Sequence, residues 1–145
     1  MVSLHPKRVL VPTDFSDQAS QAVDQGVDLV DDAEHLTVLH VAPALSSFSE
    51  GDPLVGWNMV SDEDRTKHLL EMLQKKFADP KYEKVQFRIA YGTPAEEIAR
   101  IAEAEGVELI VLPSHGRTGL ARLMIGSVAE RVVRLAHCPV LVLRE

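Results

Sequence analysis

Ser114, Gly116, Gly119, Gly126 and Ser127 are the small residues that stand between an apolar run at 107–112 and an amphipathic run at 128–136. The first run reads as a buried strand and the second as a helix. A Ser-His-Gly turn therefore leaves a strand tip, and a Gly-Ser pair opens a helix. Glycine lets backbone N–H groups approach an anion closely, and a helix N-terminus favours negative charge. The chemistry this spacing suits is retention of a phosphate-bearing small molecule. A second polar strand tip, Pro12-Thr13-Asp14-Phe15-Ser16, follows the first apolar run.

Other chemistries fit the residues less well. Ser114 and His115 are adjacent, so they do not face one another, and no Gly-x-Ser-x-Gly elbow precedes them. The 6 histidines form no His-x3-His pair, and the 1 cysteine, Cys138, makes neither a zinc knuckle nor an internal disulfide. No metal site is expected. The chain has no Gly-x4-Gly-Lys-Ser/Thr loop, and no Gly-x-Gly-x2-Gly follows its first strand.

The elements that must position these tips alternate along the chain. Strand-like runs are expected at 8–12, 35–41, 84–91, 107–112 and 140–143. Helical patterns are expected at 16–30, from 61 through Phe77, at 93–104 and at 128–136. Ser16 reads as an N-cap, and Thr93-Pro-Ala-Glu96 and Ser127-Val-Ala-Glu130 read as capping boxes. Residues 43–60 read as a long loop, with Phe48 and Trp57 as core-facing plugs or as a lid. The order βαβαβαβαβ implies a parallel sheet with helices on both faces. Ligands of such sheets sit outside the strand C-termini where the winding reverses.

The bulk numbers set outer bounds. A chain of 145 residues with 46% apolar and 26% charged content fits one domain, 1–145, with a real core. No apolar run nears the roughly 18 residues of a membrane span, and residues 1–8 lack a signal peptide's apolar stretch. The single cysteine fits a reducing cytoplasm. A net charge of −7 argues against nonspecific nucleic-acid binding, leaving only a local patch of Arg117, Arg122, Arg131 and Arg134.

Three segments together resemble the universal stress protein family: Val11-Pro-Thr-Asp-Phe-Ser16, Ser114-His-Gly-Arg-Thr-Gly119 continuing through Gly126-Ser-Val-Ala-Glu130, and Cys138-Pro-Val-Leu-Val142. The resemblance spans nearly the whole chain. It implies an α/β fold of three layers, with a five-stranded parallel sheet in the order 3-2-1-4-5, usually as a homodimer. Members that bind ATP carry Gly-x2-Gly-x9-Gly followed by Ser or Thr. Here Gly116, nine residues, Gly126 and Ser127 match, but Pro113 stands where the first glycine belongs. Proline removes one backbone donor there.

What the resemblance implies is ATP or a related adenine nucleotide, with magnesium carried by its phosphates. Asp14 would lie beside the adenosine portion, with Pro12 and Thr13 also among the binding residues, and Val41 would meet adenine. Leu112 and Ser114 would line the ribose side. Gly116, Arg117, Gly126, Ser127 and Val128 would surround the phosphates. Asp14 also has a second reading, as a turn residue before the first helix. No residue stands out as a catalytic base, so at most slow ATP hydrolysis is expected. The function implied is a stress-response or signalling module. The alternative is a nucleotide-independent dimeric interaction protein of the same fold, with an unknown protein partner. In either case the apolar strand Val140–Leu143 is the expected dimer edge.

Overall fold

The computed structural model describes residues 5–44, 61–114 and 125–144. The expected alternation is present: β1 (Val9–Pro12), α1 (Asp17–Leu29), β2 (Leu36–Ala42), α2 (Asp62–Lys76), β3 (Gln86–Tyr91), α3 (Pro94–Ala104), β4 (Leu109–Pro113), α4 (Ser127–Leu135) and β5 (Val140–Leu143). Short 3-10 turns at Ala33–His35 and Pro80–Tyr82, absent from the sequence reading, lead into β2 and β3. The five strands form one parallel sheet in the order β3-β2-β1-β4-β5.

Two apolar cores sandwich the sheet. Along β1, Val9 and Val11 join Ala22 and Val23 of α1 and Leu73 of α2 on one face. Leu10 joins Ile98 and Ile101 of α3 and Ala129 and Val132 of α4 on the other. This division follows from period-two side chains and right-handed crossovers. Winding outward from β1 to β3 puts α1 and α2 on one side. Returning past β1 to β4 and β5 puts α3 and α4 on the other. The turnaround between β1 and β4 is the switch point.

The ends of the helices show how local signals compete with tertiary ones. Ser16 caps α1, its hydroxyl accepting the Ala19 N–H at 3.1 Å. Ser16→Ala is expected to cost about 1 kcal/mol, read as a lower urea midpoint; an unchanged midpoint would show that the cap contributes nothing. The two other caps differ from expectation. Thr93 holds the cap position of α3, but its hydroxyl makes no capping bond. The glutamate that would complete the box, Glu96, is drawn instead to Arg131 of α4 at 2.6 Å. On α4 the cap is Gly126, not Ser127, which is the first helical residue. The Gly126 N–H is held by the Ser114 carbonyl at 2.6 Å, and its backbone is extended. The helix therefore begins one residue earlier than a serine cap implies.

In α2 Leu73 is buried, as is Phe77 just after it, whereas Met72 is exposed because it falls off the stripe that meets the sheet. In α1 the buried stripe also includes Gly26.

Candidate functional site

The switch point opens because two strands that start together are forced apart. β1 and β4 pair only at Val9–Leu109 and Leu10–Ile110. β1 stays on β2 as far as Pro12–Leu39, and β4 stays on β5 as far as Pro113–Leu143. Backbone groups alternate sides along a parallel strand. The Thr13 N–H donates to the Leu39 carbonyl at 2.8 Å, and the Ser114 N–H donates to the Leu143 carbonyl at 2.9 Å. By that alternation, the positions whose N–H would continue the β1–β4 ladder are 12 and 113. Both are proline and supply no donor. The ladder stops and the tips part. Pro113, the departure from the glycine motif, is thus half of the device that opens the gap.

The gap is a crevice of about 320 Å³. Pro12, Thr13 and Asp14 line it from the end of β1, and Leu39, His40 and Val41 from β2. Leu112, Pro113 and Ser114 close it from β4. The start of α4 contributes Gly126, Ser127, Val128 and Ala129; Ala19 of α1 and Pro94 and Ile98 of α3 complete the wall. Nine of the residues singled out in the sequence therefore share one cavity: Pro12, Thr13, Asp14, Val41, Leu112, Ser114, Gly126, Ser127 and Val128. Gly116 and Arg117 lie outside the described residues, as do His115, Gly119, Phe48 and Trp57.

The β1–α1 turn is the most constrained wall. Thr13 is 5% exposed, and its hydroxyl accepts the Phe15 N–H at 3.1 Å. A side-chain oxygen of Asp14 accepts the Ser16 N–H at 2.9 Å. Asp14 is thus a turn residue and a crevice residue at once, and the two readings of it are compatible. Phe15 has φ +67°, a left-handed conformation that costs a bulky residue about 1–3 kcal/mol. Its ring meets the His40 ring edge-on, with centroids 4.7 Å apart. Neither a motif nor a spacing in the sequence singles out His40. The only signal was a polar residue near the tip of an apolar strand, one register step beyond the Pro12–Leu39 pair.

The opposite wall offers a helix end. α4 begins at the crevice, and its cap residue, Gly126, has no side chain with which to cap it. The first N–H groups of a helix have no partner within it. The Gly126 N–H is spent on Ser114, so the remaining donors belong to Ser127 and the residues after it. The other walls are mainly apolar, with Leu39, Ile98 and Leu112 almost fully buried. Elsewhere on α3 and α4, Arg131 pairs with Glu96, and Arg134 pairs with Glu130 at 3.0 Å. These pairs offset half of the arginine patch considered for nucleic acid.

Cys138 is half-buried, and burial pushes its thiol above the ordinary range, as expected for a packed residue. No group of three or more potential metal ligands occurs among the described residues. No helix among them is long and apolar enough to cross a membrane.

A family model described as "Universal stress protein family" matches residues 5–144. Universal stress protein MJ0531 of Methanocaldococcus jannaschii is 35% identical, over 96% of this chain and 82% of its own length. Universal stress protein MJ0577 of the same organism is 33% identical, over 99% of this chain and 98% of its own. The solved structure of MJ0577 superimposes with a TM-score of 0.74, covering 99% of this chain and 98% of that one. Two more distant structures share the fold at 21% identity. One is a universal stress protein in complex with cAMP (TM-score 0.62, covering 97% and 98% of the two chains). The other is an Arabidopsis thaliana family protein with AMP bound (TM-score 0.59, covering 97% and 93%). With its matching model, relatives and sheet order, this chain belongs to the universal stress protein family.

Proposed function

We propose that the crevice binds ATP or a related adenine nucleotide, and that occupancy switches a stress-response or signalling module in the cytoplasm. The observation that carries this reading is the convergence at one cavity of an acidic strand tip, an apolar cleft and a glycine-capped helix N-terminus. Its volume, about 320 Å³, falls within the span of about 300–1,000 Å³ usual for small-molecule sites. Each part suits one part of a nucleotide. Val41, backed by the buried Leu39 and Ile98, offers apolar surface to a purine, while Asp14 offers an acceptor to ribose hydroxyls. Ser127 and Val128, at the start of α4, offer N–H groups and a favourable dipole to phosphates. Gly116 and Arg117 would complete the phosphate side. Magnesium bound through the phosphates needs few protein ligands. The cAMP and AMP complexes of the two distant neighbours are properties of those proteins; at their identity they support the fold alone.

Calorimetric titration of nucleotide-stripped protein with Mg-ATP tests the reading. Saturable heat at one site per chain is expected. Silence in calorimetry and in equilibrium dialysis would remove it.

The alternative, a nucleotide-independent interaction protein, draws on the sheet edge. Leu141 of β5 is 37% exposed, and Val133 and Leu135 of α4 are about half exposed. These apolar groups sit on the last two elements, beside a strand with an open edge. A homodimer through Val140–Leu143 would cover them. Leu141→Lys is expected to weaken self-association about a hundredfold, since each of two copies loses one buried leucine. Sedimentation velocity reads this directly. A wild-type chain that is monomeric at micromolar concentration would rule out the dimer.

A further inference from the structure

We propose that His40 is a positioning residue for the nucleotide site, holding the turn that carries Asp14 by a hydrogen bond from its ring to the Thr13 carbonyl. His40 Nδ1 lies 2.8 Å from that carbonyl oxygen. A carbonyl only accepts, so Nδ1 carries the proton and donates. Thr13 is thereby tied to β2 at both of its backbone groups, since its N–H already donates to Leu39. The next two residues depend on this anchor. Phe15, in its left-handed conformation, returns its N–H to the Thr13 hydroxyl and its ring to the edge of His40. Ser16 returns its N–H to Asp14. Such a backbone persists only where its surroundings over-determine it. His40 supplies both the donor and the aromatic surface that do so, and it lines the same crevice as Asp14. Its role therefore passes through the turn to the carboxylate.

Two substitutions separate the donor from the ring. His40→Phe keeps an aromatic face for Phe15 and removes the N–H. His40→Asn places an amide N–H near the Nδ1 position and removes the ring. Three readouts are taken on the full chain. The first is the protonation of the His40 ring nitrogens by NMR in the wild type. The second is hydrogen exchange of the Phe15 and Ser16 amides without ligand. The third is Mg-ATP affinity.

In the wild type Nδ1 is expected to carry a proton. In His40→Phe both amides should exchange about tenfold faster and affinity should fall about tenfold, the effect of one hydrogen bond. In His40→Asn both should return to within about threefold of wild type. A ring protonated at Nε2 alone would overturn the proposal, and this needs no variant to fold. Wild-type exchange in a folded His40→Phe, or an asparagine variant as impaired as the phenylalanine one, would overturn it too. The affinity readout rests on the nucleotide reading and the exchange readout does not. A wild type that binds no Mg-ATP overturns the nucleotide role of His40 along with that reading. The exchange data then decide the turn-holding bond on its own.

Discussion

Gly126→Glu is expected to reduce Mg-ATP affinity by about a hundredfold while leaving the fold intact. The substitution places a carboxylate at the first turn of α4, where the crevice offers its anion-favouring helix end. Two effects then act together. The side chain occupies space beside Ser127 and Val128, and its charge opposes phosphate in a partly water-excluded cleft. A pair of unit charges about 5 Å apart at an effective dielectric of about 20 repel by about 3 kcal/mol, which is about a hundredfold in affinity. The backbone should tolerate the change, although Gly126 is buried and the new side chain must enter the crevice it lines. Gly126 has φ −61° and ψ 155°, a conformation open to any residue, and acidic groups suit helix N-termini. A melting temperature near that of wild type, together with lost binding, is the expected pair of results. Undiminished affinity in the folded variant would detach the α4 terminus from the phosphates.

Gly26→Val is expected to cost about 3 kcal/mol of stability, the upper range for overpacking a well-packed core. By composition alone Gly26 looks like a weakness, since glycine inside a helix is about 1 kcal/mol worse than alanine. Its place in the fold reverses that view. A Cβ built there would stand 2.9 Å from Leu36 Cδ1 and 2.9 Å from Val11 Cγ2. Both of those residues are fully buried at the seam of β1 and β2. The missing side chain is what lets α1 lie close on the sheet. Valine would drive the helix outward or force both methyl groups off their rotamers. A drop of about 10 °C in melting temperature is expected for a domain of this size. A valine variant as stable as wild type would show that α1 has slack against the sheet.

The difference between these two glycines illustrates what sequence reading reaches. The apolar runs of β1 and β4 were legible because the sheet is covered on both faces, and the helical stripes because each helix is buried on one. The strand tips were legible too, because polar residues directly after an apolar run stand out. The resemblance supplied the strand order, which the sheet shows. What was not legible depends on partners distant in the chain. Gly26 is decided by Leu36 and Val11, and the failed box at Thr93 by Arg131. Ser127 lost the cap to Gly126 because the Ser114 carbonyl takes the Gly126 amide. The two prolines were visible, and Pro113 read as a defect in a glycine motif. Only the registers of β1 on β2 and of β4 on β5 show that Pro12 and Pro113 both interrupt the same ladder. His40 needed the same register before it could be placed beside Thr13.

The central claim is the location of the nucleotide, and amide chemical-shift mapping during titration with Mg-ATP tests it most directly. Saturating shifts are expected at the amides of residues 13–16, at Val41 and at Ser127 and Val128. Amides at the opposite end of the sheet, such as Val9 and Leu36, should stay unmoved. Saturating shifts clustered elsewhere, or none at millimolar Mg-ATP, would contradict it.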